Sequence, residues 1–353
     1  MNALSSTPAT ALADHWWDEA GHTRLREFLR NMGSTPADVV HSDGLVKLLH
    51  YLPLQPDVFR LPVLMVPSII NRPYILDLVP GQSLVQHLLH DGFDVYLVDW
   101  GRPRAEHSGL GLSDYVVELL PGCIEALLSD CGERRLSVIG YCLGGLMACL
   151  YAARFPRGPL KNLVALAAPV DATGLDLLQA WCGRSRLDLD RAVDEFGNVP
   201  AEQVTLSMQM LRPMQRLVSE ASLLGAADSE DLVAAHLRFA HWVADQVPIA
   251  GQTFRDLVEH FLRNNGLVAG AMKIGGRAVS LADIRAALLH ARAEHDHIVT
   301  PASAAPLVPL AGSRDKRDLV VKGGHVSLVA GRNAQTRLWP ELSAWLGQRS
   351  TGT

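Results

Sequence analysis

The stretch Gly140-Tyr-Cys142-Leu-Gly144-Gly145 constrains this chain more than any other. A short run rich in β-branched residues, Ser137-Val-Ile139, ends in Gly140, and a helix-forming segment from Leu146 to Arg154 follows directly. Strand, sharp turn and helix meet with a thiol at the apex. In a nucleophile elbow the apical side chain occupies a strained turn, and glycines on either side let strand and helix approach without Cβ clashes. The apex also stands at a helix N-terminus, where the partial positive charge favours a thiolate. The competing reading is a buried structural cysteine beside a glycine turn. Position between a strand and a helix favours the nucleophile.

The chain on either side supplies a matching sheet. Residues 1–50 are weakly patterned; Trp16, Trp17, Leu25, Phe28 and Leu29 predict a helix packed on the main body. An edge strand is expected within Asp43–Leu52, and a buried strand at Leu61-Pro-Val-Leu-Met-Val66 enters the loop Pro67-Ser-Ile-Ile-Asn-Arg-Pro73-Tyr74. A helix capped by Ser83 runs to His90, and Asp94-Val-Tyr-Leu-Val98 is a second buried strand. Ser113 to Leu127 reads as an amphipathic helix, and Asn162 to Ala167 as a further strand. Strands separated by helices on both sides of the elbow call for a doubly wound, mostly parallel α/β sheet.

At about Ala172 the pattern changes to helical periodicity without clear strands, and the strands resume with Ala287–Ala293 and Leu319-Val-Val321 before a closing helix over Leu338–Leu346. The expected organisation is an N-terminal segment (1–50) on the core, a core in two parts (51–171 and 269–353), and a helical cap (172–268) between them. With 353 residues, 48% hydrophobic and 20% charged, the chain can bury a large core and is not disordered. A formal charge of −5 argues against nucleic acid as a partner. Five cysteines without a CxxC pair fit reduced thiols in a cytosol. No signal peptide and no run of roughly 20 apolar residues is visible, so a cytoplasmic protein without a membrane span is expected.

Where the nucleophile is on an elbow of this kind, acid and base follow it in chain order on loops after later strands. Past the first late strand lies Glu294-His295-Asp296-His297, and past the second lies Lys322-Gly323-Gly324-His325. Cys142 is then the nucleophile towards an acyl carbonyl, His325 the base, and Asp296 the group that fixes the imidazole tautomer. Asp171, at an earlier strand end, is the rival acid. Oxyanion donors are expected at the Leu143 backbone N–H and at Ile69 in the loop after the early strand. His295 and His297 flank Asp296, but alternate loop residues without further ligands do not make a metal site. Cys123, Cys131, Cys149 and Cys182 have no comparable context and read as packing residues.

From about residue 43 to the end, the chain resembles polyhydroxyalkanoate synthases, especially the short catalytic subunit of the two-component class III enzymes. The likeness is carried by Asn71-Arg72-Pro73-Tyr74, Asp94-Val-Tyr-Leu-Val-Asp-Trp100-Gly101, Gly197-Asn-Val-Pro200, Gly251-Gln-Thr-Phe-Arg-Asp256, Asn264–Gly270 and Gly275-Gly276-Arg277, with Ala293–His297 and Gly323-Gly-His325 as acid and base loops. Ser327 departs from the pattern, which commonly has a second glycine two residues after the base. The elbow alone is also similar to that of dienelactone hydrolases, which lack so large a cap.

The synthase resemblance implies an α/β-hydrolase fold and a Cys-His-Asp triad under a cap, with no metal or organic cofactor. It implies polymerisation of (R)-3-hydroxyacyl-CoA, with 3-hydroxybutyryl-CoA the expected substrate, and release of coenzyme A. His297 is then an auxiliary in the second deprotonation. The implied partners are the growing polyester chain, a second synthase subunit of the class III E type, and further copies of the chain in a homo-oligomer at the surface of polyester granules. An esterase or thioesterase using the same triad and a granule-associated scaffold with weak catalysis are the alternatives.

Overall fold

The computed structural model describes residues 19–211 and 229–350. Its strands are β1 (Ala37–Asp43), β2 (Val46–Tyr51), β3 (Val63–Val66), β4 (Val95–Asp99), β5 (Leu136–Tyr141), β6 (Leu160–Leu166), β7 (Lys273–Ile274), β8 (Arg277–Ala278), β9 (Ala287–Ala293) and β10 (Lys316–Val321). All but β7 and β8, which form their own small ribbon, join one sheet in the order β1-β2-β4-β3-β5-β6-β9-β10. It is parallel except where β2 runs against β1 and β4.

Side chains alternate across a strand, so each central strand feeds two cores. Leu64, Val138, Leu163 and Leu288 face the helices drawn from 112–131 and Leu143–Arg154. Val63, Met65, Ile139, Val164 and Leu289 face the helices Leu84–His90 and Trp339–Ser350. This explains the nearly continuous apolar runs of β3, β4 and β5, which are covered on both faces. Ser83 accepts from the Gln86 N–H at 2.9 Å and starts its helix as expected.

Two details differ from the sequence reading. The single edge strand expected over 43–52 is a hairpin: Asp43 ends β1, Gly44 turns at φ 55°, and β2 begins at Val46. The helix expected over 113–127 is continuous in space but wound as a π-turn at Tyr115–Leu119. Pro121 lies directly beyond, and the same winding at Ala334–Leu338 precedes Pro340. A proline lacks the N–H that a regular turn would use, and the preceding carbonyls are served from further along the chain. Trp16 and Trp17 lie outside the described residues; Glu19–Arg30 is helical.

Between β6 and β7 the described chain carries helices at Asp176–Cys182, Leu189–Phe196, Ala201–Met210, Glu230–Ala244 and Gly251–Asp256, the last running into a π-turn at Leu257–Arg263. Both ends of this inserted stretch meet. Asn265 Nδ2 donates to Asp171 Oδ1 at 2.9 Å, and Ala172 N–H donates to Asn265 Oδ1 at 2.9 Å. Residues from both halves of the stretch are pinned to the loop after β4. Asn198 Nδ2 donates to the Arg104 carbonyl at 2.8 Å, Thr253 Oγ1 to the Leu110 carbonyl at 2.7 Å, and Leu112 N–H to Asp256 Oδ2 at 2.8 Å.

Candidate active site

Cys142 follows β5 and precedes the helix Leu143–Arg154, with φ 56° and ψ −123°. That backbone region is costly for a residue with a Cβ, and the surroundings hold it there: Cys142 N–H donates to the Leu166 carbonyl at 2.9 Å. The glycines are required by contact. A Cβ on Gly140 would lie 2.7 Å from the Gly144 carbonyl oxygen; one on Gly144 would lie 2.1 Å from the Val66 oxygen and 2.4 Å from the Pro67 oxygen. Gly144 thereby lets the elbow helix start against the loop that carries Ile69. The two backbone segments expected to supply oxyanion donors, at Leu143 and at Ile69, are neighbours for this reason.

The loops after β9 and β10 bring Asp296 and His325 together. His325 Nδ1 and Asp296 Oδ2 are 2.7 Å apart, and both side chains are buried. The other carboxylate oxygen, Oδ1, accepts from the Ile298 and Val299 N–H groups, each at 2.9 Å. The acid is thus oriented by its own turn and free on one oxygen for the imidazole. Burial alone would push the His325 pKa down. The charges of Cys142 and Asp296, and hydrogen bonds to both, outweigh it and raise the value to about 10. The imidazole is therefore set between thiol and carboxylate, and both neighbours favour its protonated form. Gly324 N–H donates to Ser327 Oγ at 3.2 Å, so the residue that departs from the family pattern fastens the turn carrying the base.

Asp171 is engaged elsewhere. Its Oδ1 accepts from Thr173 N–H, Thr173 Oγ1 and Asn265 Nδ2, which lowers its pKa against a burial effect in the other direction. It closes the base of the inserted stretch. His297 is half-buried and lines a cavity of about 220 Å³ shared with Leu175, Leu177, Leu178, Leu211, Ile298 and Thr300. His295 is exposed, and among the described residues no three His, Cys, Asp or Glu side chains gather as a metal-binding group. Cys123 and Cys149 are fully buried, and burial pushes both thiols up to about 12, the behaviour of packing residues.

One contact was not foreseen. Tyr141, fully packed, lies against the His325 ring with centroids 5.1 Å apart and planes tilted by 36°. Its position in the elbow, next to the nucleophile, was the available signal. The half-buried Arg72 and Tyr74 of the Asn71–Tyr74 motif turn towards the inserted stretch, with Tyr74 Oη donating to Asp245 Oδ2 at 3.1 Å. Sequence separation hides such a pair.

Comparison with known proteins gives consistent matches. Residues 21–88 match the family described as poly-beta-hydroxybutyrate polymerase (PhaC) N-terminus, and residues 62–329 match the alpha/beta hydrolase fold. Among curated relatives, the poly(3-hydroxyalkanoate) polymerase subunit PhaC of Haloferax mediterranei is 34% identical over 92% of this chain and 66% of its own length. The proteins of the same name from Thiocystis violacea and Allochromatium vinosum are 33% and 34% identical, over 90% of this chain and 90% of their own lengths. In three dimensions the chain is similar to a metagenome-derived lipolytic enzyme (LipS and LipT), with a TM-score of 0.51, 15% identity, and coverage of 85% of this chain and 97% of that one. A thermophilic esterase from Thermogutta terrifontis gives 0.50 at 13% identity, over 90% of this chain and 100% of its own. At such identities these two likenesses establish the α/β-hydrolase fold and nothing finer.

Proposed function

The chain belongs to the poly(3-hydroxyalkanoate) polymerase family, and from that premise we propose that it links (R)-3-hydroxyacyl units, delivered as coenzyme A thioesters, through an acyl-enzyme on Cys142. It is an acyltransferase. The observation that carries the mechanism is the buried Asp296–His325 pair set against a thiol at a strained elbow.

In the first step the Cys142 thiolate attacks the thioester carbonyl. The C–S bond to coenzyme A breaks, and the departing sulfur takes the proton from His325. The acyl group exchanges one thioester for another and stays activated. The neutral imidazole then accepts the proton of the 3-hydroxyl of a second unit, whose oxygen attacks the acyl-enzyme. An ester bond forms, the Cys142 thiolate is released, and the lengthened chain, still a coenzyme A thioester, can acylate Cys142 again. The oxyanion of each tetrahedral intermediate is received by the backbone N–H groups of Leu143 and Ile69. His297, next to Asp296 in the chain, assists the hydroxyl deprotonation. The reaction needs no metal or organic cofactor, because the substrate brings its own activating group.

The inserted helices act as a cap that keeps water from the acyl-enzyme, since hydrolysis would give free acid in place of polymer. Trp242 is buried at the junction of cap and core, and its Nε1 donates to the Arg72 carbonyl at 3.0 Å. Relatives named as subunits support a subunit role; to this we add a second subunit of the class III E type and a homo-oligomer at the surface of cytoplasmic polyester granules. Among the described residues no helix is long and apolar enough to cross a membrane.

The test is incubation with (R)-3-hydroxybutyryl-CoA, following coenzyme A, polymer and free hydroxy acid together, with and without a candidate partner subunit. Coenzyme A release with polymer is expected. Release with only free acid would replace the polymerase reading by a thioesterase. No release under either condition would leave a binding scaffold.

A further inference from the structure

The loop that follows β3 and the chain returning from the cap run side by side. Asn71 and Gln246 form an isolated antiparallel bridge, Val247 N–H donates to the Ile70 carbonyl at 3.2 Å, and Asn71 Nδ2 donates to Gln246 Oε1 at 2.7 Å. Asp245, at the end of the helix Glu230–Ala244, draws in three core side chains. Its carboxylate accepts from Tyr74 Oη at 3.1 Å and from Arg102 Nη1 at 3.3 Å, and Arg72 Nε stands 3.9 Å away. Burial and the Asp245 carboxylate both raise the Tyr74 pKa, so this phenol remains a donor at neutral pH.

These contacts fall on the segment that contains Ile69. The near end of the loop is held by the core, where Trp100 Nε1 donates to the Pro67 carbonyl at 3.0 Å and the elbow glycine packs beneath Val66 and Pro67. Its far end is gripped by the cap strip 242–247. A backbone donor stabilises an oxyanion in proportion to how firmly it is fixed beforehand, and a displacement of about 1 Å can cost a hundredfold in rate. A segment outside regular strand and helix needs outside support to reach that precision.

We propose that Asp245 and Gln246 are positioning residues for acyl transfer: they seat the cap strip on the loop Pro67–Tyr74 and so fix the Ile69 N–H at the oxyanion position. The inference rests on the Cys142 reading given above. It ties two events that a polymerase must keep together. When the strip lifts, water can enter, and the oxyanion site is lost at the same moment. An open cap is then a poor thioesterase as well as a poor polymerase.

The experiment compares wild type with Asp245→Asn, Gln246→Ala and the milder Tyr74→Phe in two reactions at Cys142. One is first-turnover coenzyme A release from (R)-3-hydroxybutyryl-CoA, which passes through an oxyanion. The other is alkylation by iodoacetamide, in which sulfur displaces iodide and no oxyanion forms. Asp245→Asn and Gln246→Ala are expected to lower the first-turnover rate at saturating substrate by about ten- to a hundredfold, Tyr74→Phe by less, with the half-saturating substrate concentration and the alkylation rate close to wild type. Unchanged coenzyme A release in all three variants would overturn the proposal. So would a parallel fall in both reactions, which marks a general loosening of the site. If wild type fully alkylated at Cys142 still released coenzyme A, the premise itself would fail, and that result is read in the wild-type arm alone.

Discussion

His325 has a pKa raised from 6.5 to about 10 although it is buried, because Cys142 and Asp296 stabilise its protonated form. A histidine raised on folding adds stability in full below its unfolded pKa and loses it as pH climbs through the folded value. The stability advantage of wild type over His325→Gln should therefore be largest near pH 6 and shrink progressively up to about pH 10, as read from denaturation midpoints. An advantage that grew with pH would contradict the charge arrangement. Asp296→Asn presents an amide N–H₂ to His325 Nδ1 and favours the wrong tautomer, so coenzyme A release should fall by about four orders of magnitude at neutral pH while the protein stays folded. Single-turnover kinetics with circular dichroism as the folding control would check both halves. These residues were legible because each announces itself locally: a thiol between glycines after a strand, an Asp and a His on loops after two later strands. Tyr141 against His325 and Asp245 against Tyr74 were not, since a contact between distant stretches leaves no periodicity in either.

At the scale of elements, β5 and its helix are the most tightly determined part of the chain. Gly144→Ala places a Cβ against two backbone oxygens that cannot move aside without shifting β3, and a loss of more than about 3 kcal/mol in chemical denaturation is expected. The hairpin edge is fastened by charge. His50 on β2 bridges Asp94 at 2.8 Å and Asp130 at 2.9 Å, and its ring stacks on Tyr96 with centroids 4.0 Å apart. The hydrogen bond to Asp94 outweighs burial, and with the two carboxylate charges it raises the His50 pKa. His50→Gln should cost roughly 1–2 kcal/mol at pH 6, and less as pH rises above the ordinary histidine value. β1 escaped the sequence reading because its side chains are half-buried or exposed along its whole length, so it carries no apolar alternation. The lysine, arginine and aspartate that open β10 hid the first half of that strand in the same way.

For the whole molecule, the attachment of the cap is uneven. The helix Gly251–Asp256 is tied to the core by side-chain bonds at Thr253 and Asp256, whereas Ala201–Met210 buries Val204 and leaves Leu206 and Met210 exposed. Amide exchange should be markedly faster in Ala201–Met210 than in Gly251–Asp256, and the addition of polymer should slow the former more; equal rates would refute a cap with one fixed and one yielding half. That part of the architecture could be read from sequence only as a change of periodicity at about Ala172. The clasp between Asp171 and Asn265 has a wider meaning. A stretch whose two ends touch is, to the sheet that bears it, a closed parenthesis. β6 and β9 keep the same register whatever stands between, and each doubling of the intervening length costs only about 0.6 kcal/mol of closure entropy. The core can therefore bear an insert of another length without being rethreaded, and one elbow can stand under inserts of different reach.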